Sequence, residues 1–344
     1  MSQAIQRNAQ VAMTRHPHFL RTAEALRPAL HSQSRQPMAV IQAHADPEAL
    51  FGWRGDEVGT LADFSRRELT SGDSAIIDFG SHIVGYLHFT CLSAGSPPDA
   101  PAHLQLTFGE TLCEVCEPFS DYQGWLSSSW LQQQDLWLDV LPAAVDLPRR
   151  YCFRYLKVEV KAVSEKFRLR LNQIQVNAVT SATQTCPPAV TTDPQLQAID
   201  RVAVLTLKNC MQEVFEDGPK RDRRLWLGDL RLQALVNDVT FAHHDLVRRC
   251  LYLFAGHTRE DGMVSANVFV QPDVLADDTF LFDYSLFLPI FSITICTVPK
   301  MTKPLANSGR RRVDKSTSPW PAAKRLAWCA IAMTGGSLST GRHH

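Results

Sequence analysis

Between about Thr60 and Val176 the apolar residues recur at every second position, the spacing of strands that turn one face to a core and the other to water. Ile83, Leu87 and Phe89 share one such run, and Leu104, Leu106 and Phe108 the next. Leu136, Leu138 and Val140 form a third, while Phe167, Leu169 and Leu171 alternate strictly with Arg168 and Arg170. Turn chemistry separates the runs: Gly80, the Ser96-Pro97-Pro98-Asp99 cluster, Gly109 and Pro142. Short strands joined by turns, with no helical period between them, predict an antiparallel, jelly-roll-like β-sandwich over residues 60–182.

At Ala182 the period changes from two to about 3.6. Asp193 ahead of Pro194 reads as an N-cap and first-turn pair, with Leu196, Ile199, Val202 and Leu205 along one helical face. A second helix is expected from Asp229, carrying Leu232, Leu235, Val236 and Val239 at i, i+3, i+4 and i+7. A third, capped by Asp245, would bury Val247, Cys250, Leu251 and Phe254 and stop at Gly256. Helices that follow one another without strands predict a helical second domain over 183–289. Residues 1–59 show no clear period and are expected to form an extension before the sandwich. Residues 290–344 hold neither period, and from Lys300 onward nine Lys or Arg face the single acid Asp314.

Composition narrows the classes. A chain of 344 residues that is 45% apolar can bury a core, which excludes disorder. Its 35 basic and 35 acidic side chains leave a formal net charge of zero, so no bulk field favours nucleic acid or an anionic membrane. The apolar stretch Thr279–Ile295 is interrupted by Asp283 and falls short of the ~20 residues of a bilayer span. Met1–Gln42 lacks the apolar centre of a secretory signal, and nine cysteines, an odd number, suit reduced thiols; a cytoplasmic location is expected. Cys113 and Cys116 make one CxxC pair without the second pair that zinc would need, and read as a strand-end pair. His243 and His244 point in different directions at a helix start, so capping is expected of them rather than metal binding; no metal or cofactor is expected.

Chemistry concentrates in residues 216–229, Glu-Asp-Gly-Pro-Lys-Arg-Asp-Arg-Arg-Leu-Trp-Leu-Gly-Asp, between the first two helices. Three aspartates, Asp217, Asp222 and Asp229, alternate with four cations and one tryptophan. Sugar chemistry uses such a set: carboxylates bind hydroxyls, one carboxyl protonates a glycosidic oxygen, and an indole covers the ring. A solvated loop of exposed ion pairs has the same composition, so composition alone leaves both open. Asp273, Asp277, Asp278 and Asp283 with Phe280, Phe282 and Tyr284 form a second acidic and aromatic segment, in which Asp278 is either a sugar contact or part of a helix cap.

The spacing Asp217-x-Pro219-x-Arg221-Asp222, followed by Trp226-x-Gly228-Asp229, resembles the loop D-C-P-x-R-E, three residues, W-x-G-D of bacterial α-L-rhamnosidases, glycoside hydrolase family 78. The register matches without a gap, and the resemblance covers roughly residues 70–289. It implies a β-sandwich followed by the first part of an (α/α)6 six-hairpin barrel. It also implies inverting hydrolysis of a terminal glycosidic bond, with Asp222 as general acid and Asp217, Arg221, Trp226, Asp229 and Asp278 as sugar contacts. The carbohydrate would be a rhamnoside or related glycan. Asp stands where the family usually has Glu, one methylene shorter, which sets the proton back by ~1 Å. Gly218, Leu225, Leu227 and Leu230 replace the more usual Cys, Gly, Thr and Ala, the pattern of a divergent branch.

The family's second carboxyl, a Glu on a late barrel helix, would lie beyond this sequence. The chain is therefore read as C-terminally truncated and its hydrolysis as impaired by that, with a non-catalytic carbohydrate-binding remnant as the alternative function. Residues 290–344 are expected to be a frameshift product: permitted codons read two bases later give an amphipathic, acidic string that includes a W-x-F-x-D-W segment. The genomic DNA across Leu288 to His344 tests this, and codons giving stops there would overturn it.

Overall fold

The computed structural model describes residues 11–186 and 188–288. In chain order the elements are β1 (Met13–Arg15), α1 (Pro17–Ala25), β2 (His31–Arg35), β3 (Ala39–Ala45), β4 (Trp53–Gly59), α2 (Leu61–Arg66), β5 (Ser74–Gly95) and β6 (Ala102–Gly109). There follow α3 (Cys113–Cys116), β7 (Gln132–Leu138), β8 (Ala143–Asp146), β9 (Tyr151–Ala162), β10 (Phe167–Thr180) and α4 (Pro194–Cys210). The last are β11 (Leu225–Trp226), α5 (Leu227–Val239), α6 (His244–Ala255), β12 (His257–Arg259), β13 (Asn267–Phe269) and β14 (Leu275–Ala276), with helical turns over 282–288. The described chain divides into two compact units. One comprises residues 28–223 with 239–242, and the other residues 11–27, 224–238 and 243–288.

In the first unit the sheet runs β2-β10-β5-β9-β6-β7, with β3 and β8 also on β5 and β4 on β3. Its ladders are antiparallel, as the turn-separated runs require. The 22-residue β5 holds the sheet together by changing partners along its length. Ser74–Asp78 lies against β9, and Gly85–Gly95 against β10, with a bulge between Asp78 and Ile83. The bulge explains the Asp78-Phe79-Gly80 sequence. Gly80 takes φ +76°, a left-handed conformation open to glycine. The Asp78 carboxylate accepts the Gly80 N–H at 2.6 Å and both Arg154 Nε and a terminal guanidinium nitrogen at 2.9 and 2.8 Å.

The alternating residues meet in one core: Ile83, Leu87, Phe89, Leu104, Leu106, Phe108, Phe167, Leu169 and Leu171 are all buried there. Phe108 stacks on Tyr151 at 3.9 Å and meets Phe153 edge-on at 4.9 Å, geometries that add to area burial. Val140 departs from expectation: it lies past the end of β7 and is exposed. The expected boundary at residue 60 also fails, because β2, β3 and β4 belong to this sheet. The reason is positional. Among the described residues β2 is a polar strand paired only with β10, and β4 is paired only with β3, so neither needs the apolar alternation that betrays a central strand. The CxxC pair forms the short helix α3 after β6 rather than a strand end, and both thiols are free.

α4 belongs to this unit too, despite the change of period ahead of it. Asp193 caps it as expected, accepting the N–H groups of Gln195 and Leu196. Its far end is fastened to the end of β10: Thr180 Oγ1 donates to Lys208 O at 2.8 Å, and Ser181 N to Met211 O at 2.8 Å.

The second unit is built on α6. Val247, Cys250, Leu251 and Phe254 are buried as expected, but the cap is His243, whose Nδ1 accepts from Leu246 N at 3.4 Å, and not Asp245. α1 returns from the N-terminal region to pack on α6. Phe19 stacks on Tyr252 at 5.9 Å, His16 N donates to Gly256 O at 2.9 Å, and β1 pairs with β12. A Cβ on Gly256 would stand 2.3 Å from Leu20 Cδ2, so Leu20 of α1 would have to shift for any larger residue there. Arg249 is 2% exposed and donates to the Ala23 carbonyl.

The expected apolar faces of α4 and α5 are in the helices but not in a core. Leu196, Ile199 and Val202 are exposed, and so are Leu232, Leu235, Val236 and Val239, the last at 80%. A 3.6-residue apolar period records a face selected for burial, and among the described residues these two faces stay open.

His257, 3% exposed, has its pKa lowered below the ordinary 6.5 chiefly by burial, with Arg15 and His16 acting the same way. The fold therefore favours neutral imidazole, and its contribution is complete above pH ~6.5 and lost as pH falls through the lowered value. His257→Phe is expected to flatten the decline of melting temperature between pH 7.5 and 5.5. An unchanged slope would assign the decline to other groups.

Candidate active site

The loop after α4 is held by charged residues on either side of the candidate carboxylates. Glu216, 7% exposed, accepts from one terminal nitrogen of Arg150 through both carboxylate oxygens at 2.8 Å. Burial pushes the Glu216 carboxyl up, against the opposing pull of Arg150. Arg223 donates to the backbone carbonyl of the same Arg150 at 2.7 Å and to Pro219 O at 2.8 Å. Between these anchors Lys220 reaches Glu114 at 2.6 Å and Glu110 at 3.4 Å. Glu110 meets His82 Nε2 at 2.9 Å, and His82 Nδ1 faces the Asn209 amide at 2.8 Å. Burial would raise the Glu110 carboxyl, but the His82 hydrogen bond and the Lys220 charge outweigh it and hold it below its usual value.

Inside this frame the structure brings Asp217 and Asp222 together: the Asp222 N–H donates to Asp217 Oδ2 at 3.1 Å. The Asp222 side chain is 10% accessible and lies 3.3 Å from Arg221 Nε, while Arg221 itself is 40% accessible. A Cβ on Gly218 would stand 2.3 Å from the Arg221 carbonyl oxygen, so the tight return of the chain here accepts only glycine. The loop is thus no solvated run of ion pairs, because Glu216, Lys220 and Arg223 are spent on fixing it.

The other candidates lie in the second unit. Trp226 in β11 pairs with Asn267 of β13. Asp229 occupies the first turn of α5, where a carboxylate is favoured by the helix dipole. Gly228 beside it lies under Tyr284: a Cβ there would be 2.3 Å from the ring. The Tyr284 hydroxyl is raised by burial first, then by Asp229 and Asp283. Asp277 is structural, accepting from Asn267 Nδ2 at 2.7 Å and Thr279 Oγ1 at 2.9 Å. Asp278 has Oδ1 buried without a hydrogen-bond partner, and the helical turns begin only at 282, beyond the reach of a cap. Of the aromatic residues nearby, Phe280 lies under Arg259 at 4.6 Å and Phe287 under Arg231 at 5.0 Å, while Phe282 is exposed.

Residues 37–178 match the glycosyl hydrolase family 78 α-rhamnosidase N-terminal domain, and residues 189–300 match the bacterial α-L-rhamnosidase six-hairpin glycosidase domain. The chain belongs to glycoside hydrolase family 78. Among solved structures, this family 78 chain is similar to a rhamnosidase from Klebsiella oxytoca with rhamnose bound, at 74% identity and a TM-score of 0.83 over 94% of the chain. It spans 61% of that protein's length. A family 78 rhamnosidase of Bacillus sp. GL1, at 20% identity and a TM-score of 0.53, matches 71% of the chain with 25% of its own, which speaks for the fold alone. No curated protein matches the chain.

The architecture of a family 78 protein accounts for the β-rich part followed by helices of a six-hairpin domain. The six-hairpin match continues to residue 300, past the expected break at 289. The frameshift expected for 290–344 lies outside the described residues. Sequence reasoning found the carboxylates of the loop but missed Arg150, Glu110, Glu114 and His82. These sit in the sandwich far from the loop in sequence, and only the fold brings them to it.

Proposed function

We propose that this family 78 chain is an α-L-rhamnosidase-like glycoside hydrolase acting with inversion on a terminal glycosidic bond. The carrying observation is the unbroken register of Asp217, Arg221, Asp222, Trp226 and Asp229 in a chain 74% identical to a rhamnosidase with rhamnose bound. Asp222 is the general acid, since it holds the position of the family's acid in that register. Asp217, joined to the Asp222 backbone, binds sugar hydroxyls. The family register assigns sugar contact to Arg221, Trp226 and Asp229, and the unpartnered Asp278 Oδ1 supports the same role for Asp278.

The partner in this reading is a rhamnoside or related glycan, with no part for nucleic acid or membrane. Among the described residues no helix is long and apolar enough to cross a membrane. Cys91, Cys113, Cys116 and Cys152 carry free thiols, which supports a reducing, cytoplasmic setting. Inversion needs a second carboxyl ~6.5–9.5 Å from the acid to activate water. Hydrolysis of an aryl α-L-rhamnoside, run beside calorimetry with L-rhamnose, is the test. Slow rhamnose release with inverted anomeric configuration is expected, since none of the residues assigned above supplies that second carboxyl. Binding without any release would favour the carbohydrate-binding alternative, and neither would sink both.

A further inference from the structure

The candidate carboxylates Asp217 and Asp222 fall between two residues that converge on one point of the sandwich. Glu216, immediately before them, takes the Arg150 guanidinium through both oxygens, and Arg223, immediately after, takes the Arg150 carbonyl. Arg150 sits just ahead of β9, whose first residues Tyr151, Cys152 and Phe153 are fully buried, so its backbone cannot drift. The neighbouring backbone is fixed again by Gln132, which accepts the Cys152 N–H at 3.0 Å and donates to the Cys152 carbonyl at 2.6 Å. The Arg150 and Glu216 side chains are 13% and 9% accessible, too little for water to replace either partner. Salt screening is weak at that depth, unlike at an exposed pair.

We propose that Arg150 is a positioning residue. With its side chain and its main chain it closes both ends of the loop 217–222 and so sets where Asp217 and Asp222 stand. This rests on the function proposed above for those two residues. The clamp deals with a problem the sequence poses. An Asp at 222 has one methylene less reach than the family's usual Glu, and misplacement by ~1 Å can cost ~10²-fold in rate, so the shorter acid depends more on a fixed backbone. Arg150 touches neither sugar nor proton in this role; it acts through the loop.

Two variants of the full chain separate positioning from plain stability. Arg150→Lys keeps a cation but replaces the guanidinium by a compact ammonium on a flexible stem, so the nitrogen that meets both Glu216 oxygens is displaced. Arg150→Met/Glu216→Leu removes both charges with little change of volume, an exchange that often leaves stability unaltered. It also serves if the lysine variant fails to fold. One readout is trypsin cleavage after Arg221, followed by mass spectrometry without sugar present; the other is L-rhamnose affinity by calorimetry. Both variants are expected to melt within a few degrees of the parent, yet to be cut about tenfold faster after Arg221, as a loop that opens locally would be. Rhamnose affinity is expected to fall with it. Unchanged cleavage and unchanged affinity in the double variant would overturn the proposal. A parent that binds no rhamnose, with cleavage still accelerated in the variants, would leave the clamp standing and remove the functional reading instead.

Discussion

Asp222→Asn is expected to slow hydrolysis of an α-L-rhamnoside with an alkyl leaving group by about 10²–10⁴-fold, the usual worth of a positioned general acid. The amide keeps the shape and can still face Arg221, but it has no proton to deliver to the glycosidic oxygen. The size of the loss should depend on the leaving group. A nitrophenolate departs with little help, so the same variant should lose far less on a nitrophenyl rhamnoside. A residue that merely bound the sugar would lower both rates alike, and equal losses would take Asp222 out of the acid role. Stability should change little. Asp222 is mostly shielded, but its partner Arg221 is 40% accessible, and replacing such a pair costs about 1 kcal/mol or less.

Arg249→Met carries the largest expected effect on folding. The guanidinium is 2% exposed and donates to the Ala23 carbonyl, with the Glu24 carboxylate 3.5 Å away. Methionine fills most of the space and leaves the carbonyl between α1 and α6 without that donor, a loss of about 2–4 kcal/mol. Denaturant titration would show it as a lower midpoint for the α1 and α6 unit. Glu24→Gln is the control. Glu24 is 61% accessible, so its charge should matter by less than about 0.5 kcal/mol. An Arg249→Met midpoint equal to that of the parent would mean that the other contacts, such as Phe19 on Tyr252 and His16 N on Gly256 O, suffice to join the two helices.

What could be read in advance follows from where each residue's partners lie. The central strands announced themselves because both their neighbours and their core face act on every second residue, as at Leu104, Leu106 and Phe108. β2 and β4 did not, since a peripheral strand answers to one neighbour and to water. α6 was legible down to its buried residues. The faces of α4 and α5 were legible as apolar, but a period reveals that a face seeks cover without revealing what covers it. For the loop, the order of carboxylates and tryptophan was enough to suggest sugar chemistry. Its supports were not visible, because Lys220 and Glu110 are 110 positions apart and no local pattern links such a pair.

The same distance in sequence, larger still between α1 and α6, has a consequence for synthesis. Ala23 and Arg249 are 226 positions apart. At roughly 5–20 residues per second, a ribosome needs about 10–45 s to make what lies between them. For that interval α1 has no α6 to pack on, and nine residues are too few for a helix to persist alone in water, where about 12–15 are needed. Phe19 and Leu20 therefore wait as exposed apolar side chains on the nascent chain while the sandwich residues that follow them can already condense. α1 is made before the sandwich and completes its fold after it.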